Sequence, residues 1–251
     1  MKISSLNSFN VVIPARIAAH RLPGKVLLDI AGKPMLQHVY EQASASNASS
    51  VIIATDDQQV REIAEGFGAK VCMTSSEHRS GTDRIHEVVS QLGLADDEIV
   101  VNVQGDEPLI PPSAINQVAA NLADHSQAGM SSLCEVISEQ EEIENPNSVK
   151  VVLDTAGYAL YFSRSTIPWQ GSASAKNCLR HIGIYAYRVS VLNQFVSWPP
   201  SELEVQEKLE QLRALFNGIR IHMELSNDRI PAGVDTEKDL EAVRAYLTGS
   251  T

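Results

Sequence analysis

The sequence predicts an α/β protein with a mainly parallel central sheet and helices on both faces. Short β-branched runs recur at residues 9–14, 51–55 and 98–103, and they are too uniformly apolar for strands with one wet face. Stretches with helical spacing alternate with these runs, and a βαβαβα order is the pattern of parallel sheets covered by helices. Each apolar run also ends in punctuation: Pro14, Asp56-Asp57, and Gln104-Gly105-Asp106-Glu107-Pro108.

Taken in order, Phe9-Asn10-Val11-Val12-Ile13-Pro14 is a buried strand, and residues 15–25, with Pro23-Gly24, are a loop. Residues 34–46 place Met35, Val39 and Ala43 at helical spacing behind a leading proline. A strand at 51–55, a helix at 58–67 closed by Gly68, a strand at 70–73 and a helix at 81–92 follow. Then come a strand at 98–103 and a helix at 112–125. The second half is less regular. Residues 149–153 and 159–162 read as strands around a turn at Asp154-Thr155-Ala156-Gly157, and 182–187 as an alternating strand. Residues 202–216 read as one long helix, 219–224 as a strand, and 236–246 as a terminal helix capped by Thr236. Residues 170–178 are small and polar, a loop inside the domain. Residues 1–251 are therefore expected to form one domain, with an inserted antiparallel portion at about 130–200.

The chain has 251 residues and a net charge of −11, with 43% hydrophobic and 20% charged residues. That is globular composition, and its acidity disfavours nucleic acid and anionic membranes as partners. No apolar run approaches 18 residues, the first nine hold no apolar stretch of the signal-peptide kind, and Cys72, Cys134 and Cys178 are widely spaced. A cytoplasmic protein without a disulfide framework or thiolate metal site is expected. The charge is uneven: Lys2, Arg16, Arg21 and Lys25 all precede the first carboxylate, Asp29. An acidic chain that gathers cations in one loop points to a small anionic ligand there.

Ligands of such sheets sit beyond the carboxyl ends of the strands. The loop after the first strand, Arg16-Ile17-Ala18-Ala19-His20-Arg21-Leu22-Pro23-Gly24-Lys25, is neither a Walker A nor a GxGxxG loop. It still sets two forked guanidiniums and an ammonium where a triphosphate losing pyrophosphate would need them. A basic loop without a ligand fits the same letters. Asp106, at the end of a buried strand, suits a Mg2+ carried by phosphates. Asp235 suits either the metal or the start of the helix behind it. Ser80-Gly81-Thr82-Asp83-Arg84 reads first as a capped helix start, and as a nucleotide contact second. His181 and Tyr185 share one face of a strand and read first as satisfied core residues. GxSxG and HExxH are absent, so hydrolytic triads and zinc proteases have no support.

These loops resemble those of the bacterial 3-deoxy-manno-octulosonate (KDO) cytidylyltransferases, or CMP-KDO synthetases, from Val12 to about Arg244. The matching segments include Ile13-Pro14-Ala15-Arg16, Arg21-Leu22-Pro23-Gly24-Lys25 and Ala54-Thr55-Asp56-Asp57. Others are Ser80-Gly81-Thr82-Asp83-Arg84, Asn102-Val103-Gln104-Gly105-Asp106-Glu107-Pro108, Arg180-His181-Ile182-Gly183-Ile184-Tyr185, Leu209-Glu210-Gln211-Leu212-Arg213 and Gly233-Val234-Asp235-Thr236. Departures lie at Ile17, where the family usually has an aromatic, at Ala19 and His20 for small hydroxyl residues, and at Val26 for proline. The segment between Trp169 and Arg180 is also short.

The resemblance implies a glycosyltransferase-A-like nucleotidyltransferase fold, usually a homodimer, with part of the 130–200 portion serving dimerisation and sugar binding. It implies CTP and KDO as substrates, CMP-KDO and pyrophosphate as products, Mg2+ as cofactor and lipopolysaccharide synthesis as destination. It implies Arg16, Arg21, Lys25 and Asp106 as catalytic. Ala15, Arg16, Thr55, Ser80, Gly81, Arg84 and Gln104 would surround the nucleotide. Gln104, Arg164, His181, Tyr185, Glu210 and Gln211 would line the sugar pocket, and Asp106 and Asp235 would hold the metal. An 8-amino-KDO or sialic-acid cytidylyltransferase and a non-catalytic nucleotide-binding module are the alternatives.

Overall fold

A computed structural model describes residues 8–17, 22–78, 80–169 and 178–249. The chain opens with β1 (Phe9–Pro14) and passes through a 3-10 turn at Lys25–Leu27. A ribbon of β2 (Asp29–Ile30) and β3 (Lys33–Pro34) leads into α1 (Met35–Ser44). Then come β4 (Ser50–Thr55), α2 (Gln58–Gly66), β5 (Lys70–Met73), α3 (Gly81–Leu92), β6 (Ile99–Asn102) and α4 (Pro112–Asp124). The second half has β7 (Met130–Val136), α5 (Gln140–Glu144), β8 (Lys150–Leu153), β9 (Ala159–Ser163) and β10 (Leu179–Arg188). It ends with α6 (Val189–Phe195), α7 (Glu202–Glu207), α8 (Gln211–Phe216), β11 (Ile221–Leu225) and α9 (Glu237–Thr248).

The main sheet runs β11-β7-β10-β6-β1-β4-β5. β1 lies parallel to β4 and β6, β4 to β5, and β7 to β11. β10 is antiparallel to both β6 and β7, so the sheet is mixed where β10 inserts. β8 pairs with the start of β10 and carries β9 outward. Strand alternation divides the core. Val11 and Ile13 of β1 face Leu36 of α1, Val60 of α2 and Ile115 of α4, whereas Val12 faces Ile85 and Val88 of α3 and Leu192 of α6. Both faces of β1 are therefore covered, which is why its run carries no polar alternation.

Two expectations need correction, and two elements were not foreseen. The helix read across 202–216 is two helices, because Lys208 adopts a left-handed backbone with φ 55° and ends α7. The strand read from 219 begins at Ile221. β7 and α6 had no sequence assignment. Ser131 and Ser132 make β7 look like a turn, yet both are fully buried and their hydroxyls donate to carbonyls, Ser131 to Val118 at 2.7 Å. The residues of β10 on either side of its bulge, His181 and Tyr185, oppose Cys134 and Ser132 of β7, so they keep one face.

Candidate active site

The carboxyl ends of β1 and β6 meet at a cleft of 210 Å³ lined by Arg16, Lys25, Val26, Gly81, Gln104 and Asp106, among others. Close backbone approach creates it. A Cβ on Gly105 would lie 2.9 Å from the Pro14 carbonyl oxygen, so only glycine lets the loop after β6 lie against the end of β1. A Cβ on Gly81 would rest 3.5 Å from the Pro14 ring, which brings the start of α3 to the same rim.

Asp106 and Asp235 are joined across the cleft by backbone. Val234 N donates to the Asp106 carbonyl at 2.8 Å, setting the 233–235 turn beside the loop after β6. Lys25 Nζ then donates to Asp106 Oδ2 at 2.5 Å, Asp235 Oδ1 at 3.0 Å and the Val234 carbonyl at 3.1 Å. Burial works against the Lys25 ammonium, but the two carboxylates, Asp106 first, outweigh it and raise its pKa. Asp235 does not cap α9. Thr236 does, in a box with Asp239, and this leaves the Asp235 carboxylate facing the cleft. Three oxygens converging on one cation form the kind of donor set that Mg2+ uses.

Arg16 reaches the opposite rim, where Nη2 donates to the carbonyls of His78 at 2.6 Å and Ser80 at 3.0 Å. Ser80 caps α3 in a box with Asp83. Ala15, Thr55 and Arg84 are fully buried behind the cleft. The Arg84 guanidinium lies 3.1 Å from Asp56 and donates to Thr74, while Thr55 O accepts from Thr74 N at 2.9 Å. These residues support the wall and do not line the opening. Arg21 falls outside the described residues, as does most of the 170–178 loop.

On the β10 side, the His181 ring packs edge-on against Phe162 at 5.0 Å and lies 5.2 Å from the Tyr185 ring. Ser132 Oγ lies 2.9 and 2.8 Å from the carbonyls of Ile182 and Ile184 and 3.1 Å from His181 Nε2. Its proton goes to a carbonyl, so His181 Nε2–H donates to Ser132 and Nδ1 is left as an acceptor. Burial, with Arg180 adding to it, pulls the His181 pKa down to about 3, so the ring is neutral. The buried Tyr185 hydroxyl and the Gln211 amide nitrogen have no hydrogen-bond partner among the described residues. Glu210 accepts from Thr82 Oγ1 at 2.6 Å, and burial raises its pKa. Beside Asp106, the Glu107 carboxyl is pushed up to about 8 by burial and by that neighbour, and its Oε2 is also unpartnered. Arg164 is largely committed to structure: Nε donates to the Glu207 carbonyl at 2.8 Å, Nη1 to Pro146 at 2.9 Å and Nη2 to Lys208 at 3.4 Å. Two of its five N–H groups are left for a ligand.

The sequence reading missed Ser132 and Lys150, and gave Thr82 only as part of the helix start at 80–84. The fully buried Lys150 ammonium donates to the carbonyls of Asn145, Ser148 and Arg164, and so seats the Arg164 backbone. A lysine inside a strand run carries no local signal of that task. His125, His222 and Glu224 gather near the amino-terminal end of β11. Both ring nitrogens of His222 are engaged, by Asn121 and the Ala156 carbonyl, and His125 stacks on it at 3.5 Å. This trio is packing, not a metal site.

The cytidylyltransferase family profile matches residues 10–221. The chain belongs to the cytidylyltransferase family. Among curated members, the 3-deoxy-manno-octulosonate cytidylyltransferase of Vibrio vulnificus (strain YJ016) is 59% identical over 251 residues, covering 97% of this chain and 100% of its own. That of Saccharophagus degradans is 58% identical over 254 residues, covering 97% of this chain and all of its own. A solved CMP:2-keto-3-deoxy-manno-octonic acid synthetase complexed with CTP superposes with TM-score 0.91 at 44% identity, over 97% of this chain and 100% of that one. The fold of that synthetase is thus the architecture that this chain builds.

Proposed function

We propose that this cytidylyltransferase transfers CMP from CTP to the anomeric hydroxyl of 3-deoxy-manno-octulosonate, releasing pyrophosphate, as a step toward lipopolysaccharide. The named relatives and the CTP-bound neighbour support both substrates. The observation that carries the reading is the adjacency of two differently built sites. One is a cleft in which Arg16 and Lys25 face Asp106 and Asp235. The other is a group of buried polar atoms beside the end of β6, the Tyr185 hydroxyl opposite Asn102 and the Gln211 amide, without hydrogen-bond partners among the described residues. The first suits a triphosphate and the second a polyhydroxylated acid, because orphaned polar groups select ligands that satisfy them.

In this reading Arg16, Lys25 and Arg21 hold the triphosphate and receive the charge that grows on the leaving pyrophosphate. Ser80, Gly81 and Gln104 lie nearest the nucleoside, backed by Ala15, Thr55 and Arg84. His181 accepts a sugar hydroxyl at Nδ1, Tyr185 and Gln211 donate, Glu210 accepts, and the remaining N–H groups of Arg164 meet the carboxylate. Asp106 and Asp235, with the Val234 carbonyl, would hold Mg2+. When bound, it supplies charge neutralisation at the phosphates. The sugar oxygen attacks the α-phosphorus in line. The bond to the β-phosphate oxygen breaks, and the hydroxyl proton passes to solvent. The same reading makes the enzyme a cytoplasmic homodimer, with the β8–β9 hairpin and the outer face of β10 toward its partner.

The test is pyrophosphate release from CTP with KDO, 8-amino-KDO and sialic acid, each with and without Mg2+. Release with KDO and Mg2+ that falls at least tenfold with sialic acid, and is lost in Asp106→Asn, is the expected result. Full turnover by Asp106→Asn would remove the metal assignment.

A further inference from the structure

Thr82 is the second residue of α3 and is only 1% exposed. A hydroxyl in a helix's first turn ordinarily serves the helix. Here the cap is already supplied by Ser80 and Asp83, so α3 does not need it. Thr82 Oγ1 instead donates at 2.6 Å to Glu210 Oε2, 128 positions along the chain.

Glu210 sits in the turn between α7 and α8, just after the left-handed Lys208. Arg164 grips that turn from one side through the carbonyls of Glu207 and Lys208, and on the other Thr82, with Ser80 beside it, holds the Glu210 carboxylate. Behind Thr82, the buried Tyr187 hydroxyl interacts with the side chains of Thr82 and Asn102. Asn102 Oδ1 in turn faces Gln104 Nε2 at 3.4 Å. Gln104, Asn102, Tyr187, Thr82 and Glu210 thus form one row of polar side chains. It starts at the cleft of Arg16, Lys25 and Asp106 and ends beside Gln211. The donors can all run one way along it, from the Gln104 amide to the Glu210 carboxylate, so that each bond polarises the next.

We infer that Thr82 is a positioning residue for the sugar acid: it aims the Glu210 carboxylate and, through Tyr187 and Asn102, keeps it in register with Gln104. It does not hold the nucleotide, although it stands in the stretch that opens α3. The inference rests on the sugar-binding role proposed above for Glu210 and Gln104.

The test compares Thr82→Val, which keeps the shape and removes the hydroxyl, with Thr82→Ser, which restores the donor. Thr82→Val should raise KM for KDO about tenfold and leave KM for CTP within about twofold, while Thr82→Ser stays near wild type. Combined with Glu210→Gln, the two losses should be less than additive. Equal KM changes for both substrates, a larger change for CTP, or no rescue by serine would overturn the inference. A readout without substrate separates it from the functional reading. Carboxyl 13C NMR should show the Glu210 titration moving upward in Thr82→Val and not in Thr82→Ser, since the Thr82 hydrogen bond favours the ionised form. An unmoved Glu210 resonance would refute the anchor whatever the enzyme's substrate. Absence of wild-type turnover with KDO would refute the functional reading alone.

Discussion

Replacing Lys25 by methionine removes the cation that, among the described residues, donates to both Asp106 and Asp235. Both carboxylates lie within 3.0 Å of its nitrogen, so without it two like charges face each other at about 5 Å. At an effective dielectric of about 20 their repulsion is roughly 3 kcal/mol. The Asp235 side chain is 49% exposed, and solvent screening trims this to about 1–2 kcal/mol. For a chain of this size that corresponds to a fall in Tm of roughly 2–8 °C. A divalent cation should reverse it, because the oxygens that held the ammonium are freed. The assay is thermal unfolding of Lys25→Met and wild type without nucleotide, across a Mg2+ series, with Mn2+ binding followed by electron paramagnetic resonance. The expected result is a lower Tm for the variant, restored by Mg2+, and Mn2+ affinity about tenfold above wild type. Turnover should nonetheless drop about 100-fold or more, since the leaving pyrophosphate loses its partner. A variant that melts like wild type and ignores Mg2+ would refute the idea that these carboxylates share one cation.

Tyr185→Phe removes a buried hydroxyl that has no partner among the described residues, so it should leave stability unchanged or raise it by up to about 1 kcal/mol in urea unfolding, while KM for the sugar rises about tenfold. Gly105→Ala places a Cβ at 2.9 Å from the Pro14 carbonyl, and the forced backbone shift should cost roughly 1–3 kcal/mol and lower kcat/KM, measured by denaturation and pyrophosphate release. His181 has a native pKa of about 3 against an ordinary value of 6.5. The unfolded chain therefore binds its proton first as pH falls, and the His181 contribution is complete above 6.5. It is lost toward pH 3 at up to about 1.4 kcal/mol per unit. His181→Gln should flatten that part of the stability curve, and an unchanged slope would show that His181 is not the group responsible.

Much of the fold was legible because the strands that matter most are covered on both sides. β1, β4 and β6 have no polar alternation to confuse them, and the loops at the carboxyl ends of β1 and β6 are where the cleft lies. β7 was hidden because its interior serines meet carbonyls inside the protein and not water, a fact of tertiary contact. The break at Lys208 was hidden because a lysine, not a glycine, takes the left-handed backbone. In the site, Arg16, Lys25 and Asp106 announced themselves by charge at strand ends. Residues that act by holding others did not: Thr82 looks like a helix cap, Ser132 like part of a turn and Lys150 like a surface cation. Arg164 combines the two, since besides the ligand-facing role expected of it, it holds three carbonyls of its own chain.

The most direct measurement of the central claim is initial-rate pyrophosphate release from CTP and KDO in the presence of Mg2+, against UTP in place of CTP and against omission of the sugar. Release should need CTP, KDO and Mg2+ together and fall by about 100-fold or more in Lys25→Met. Equal release with UTP, or release that persists without the sugar, would contradict that claim.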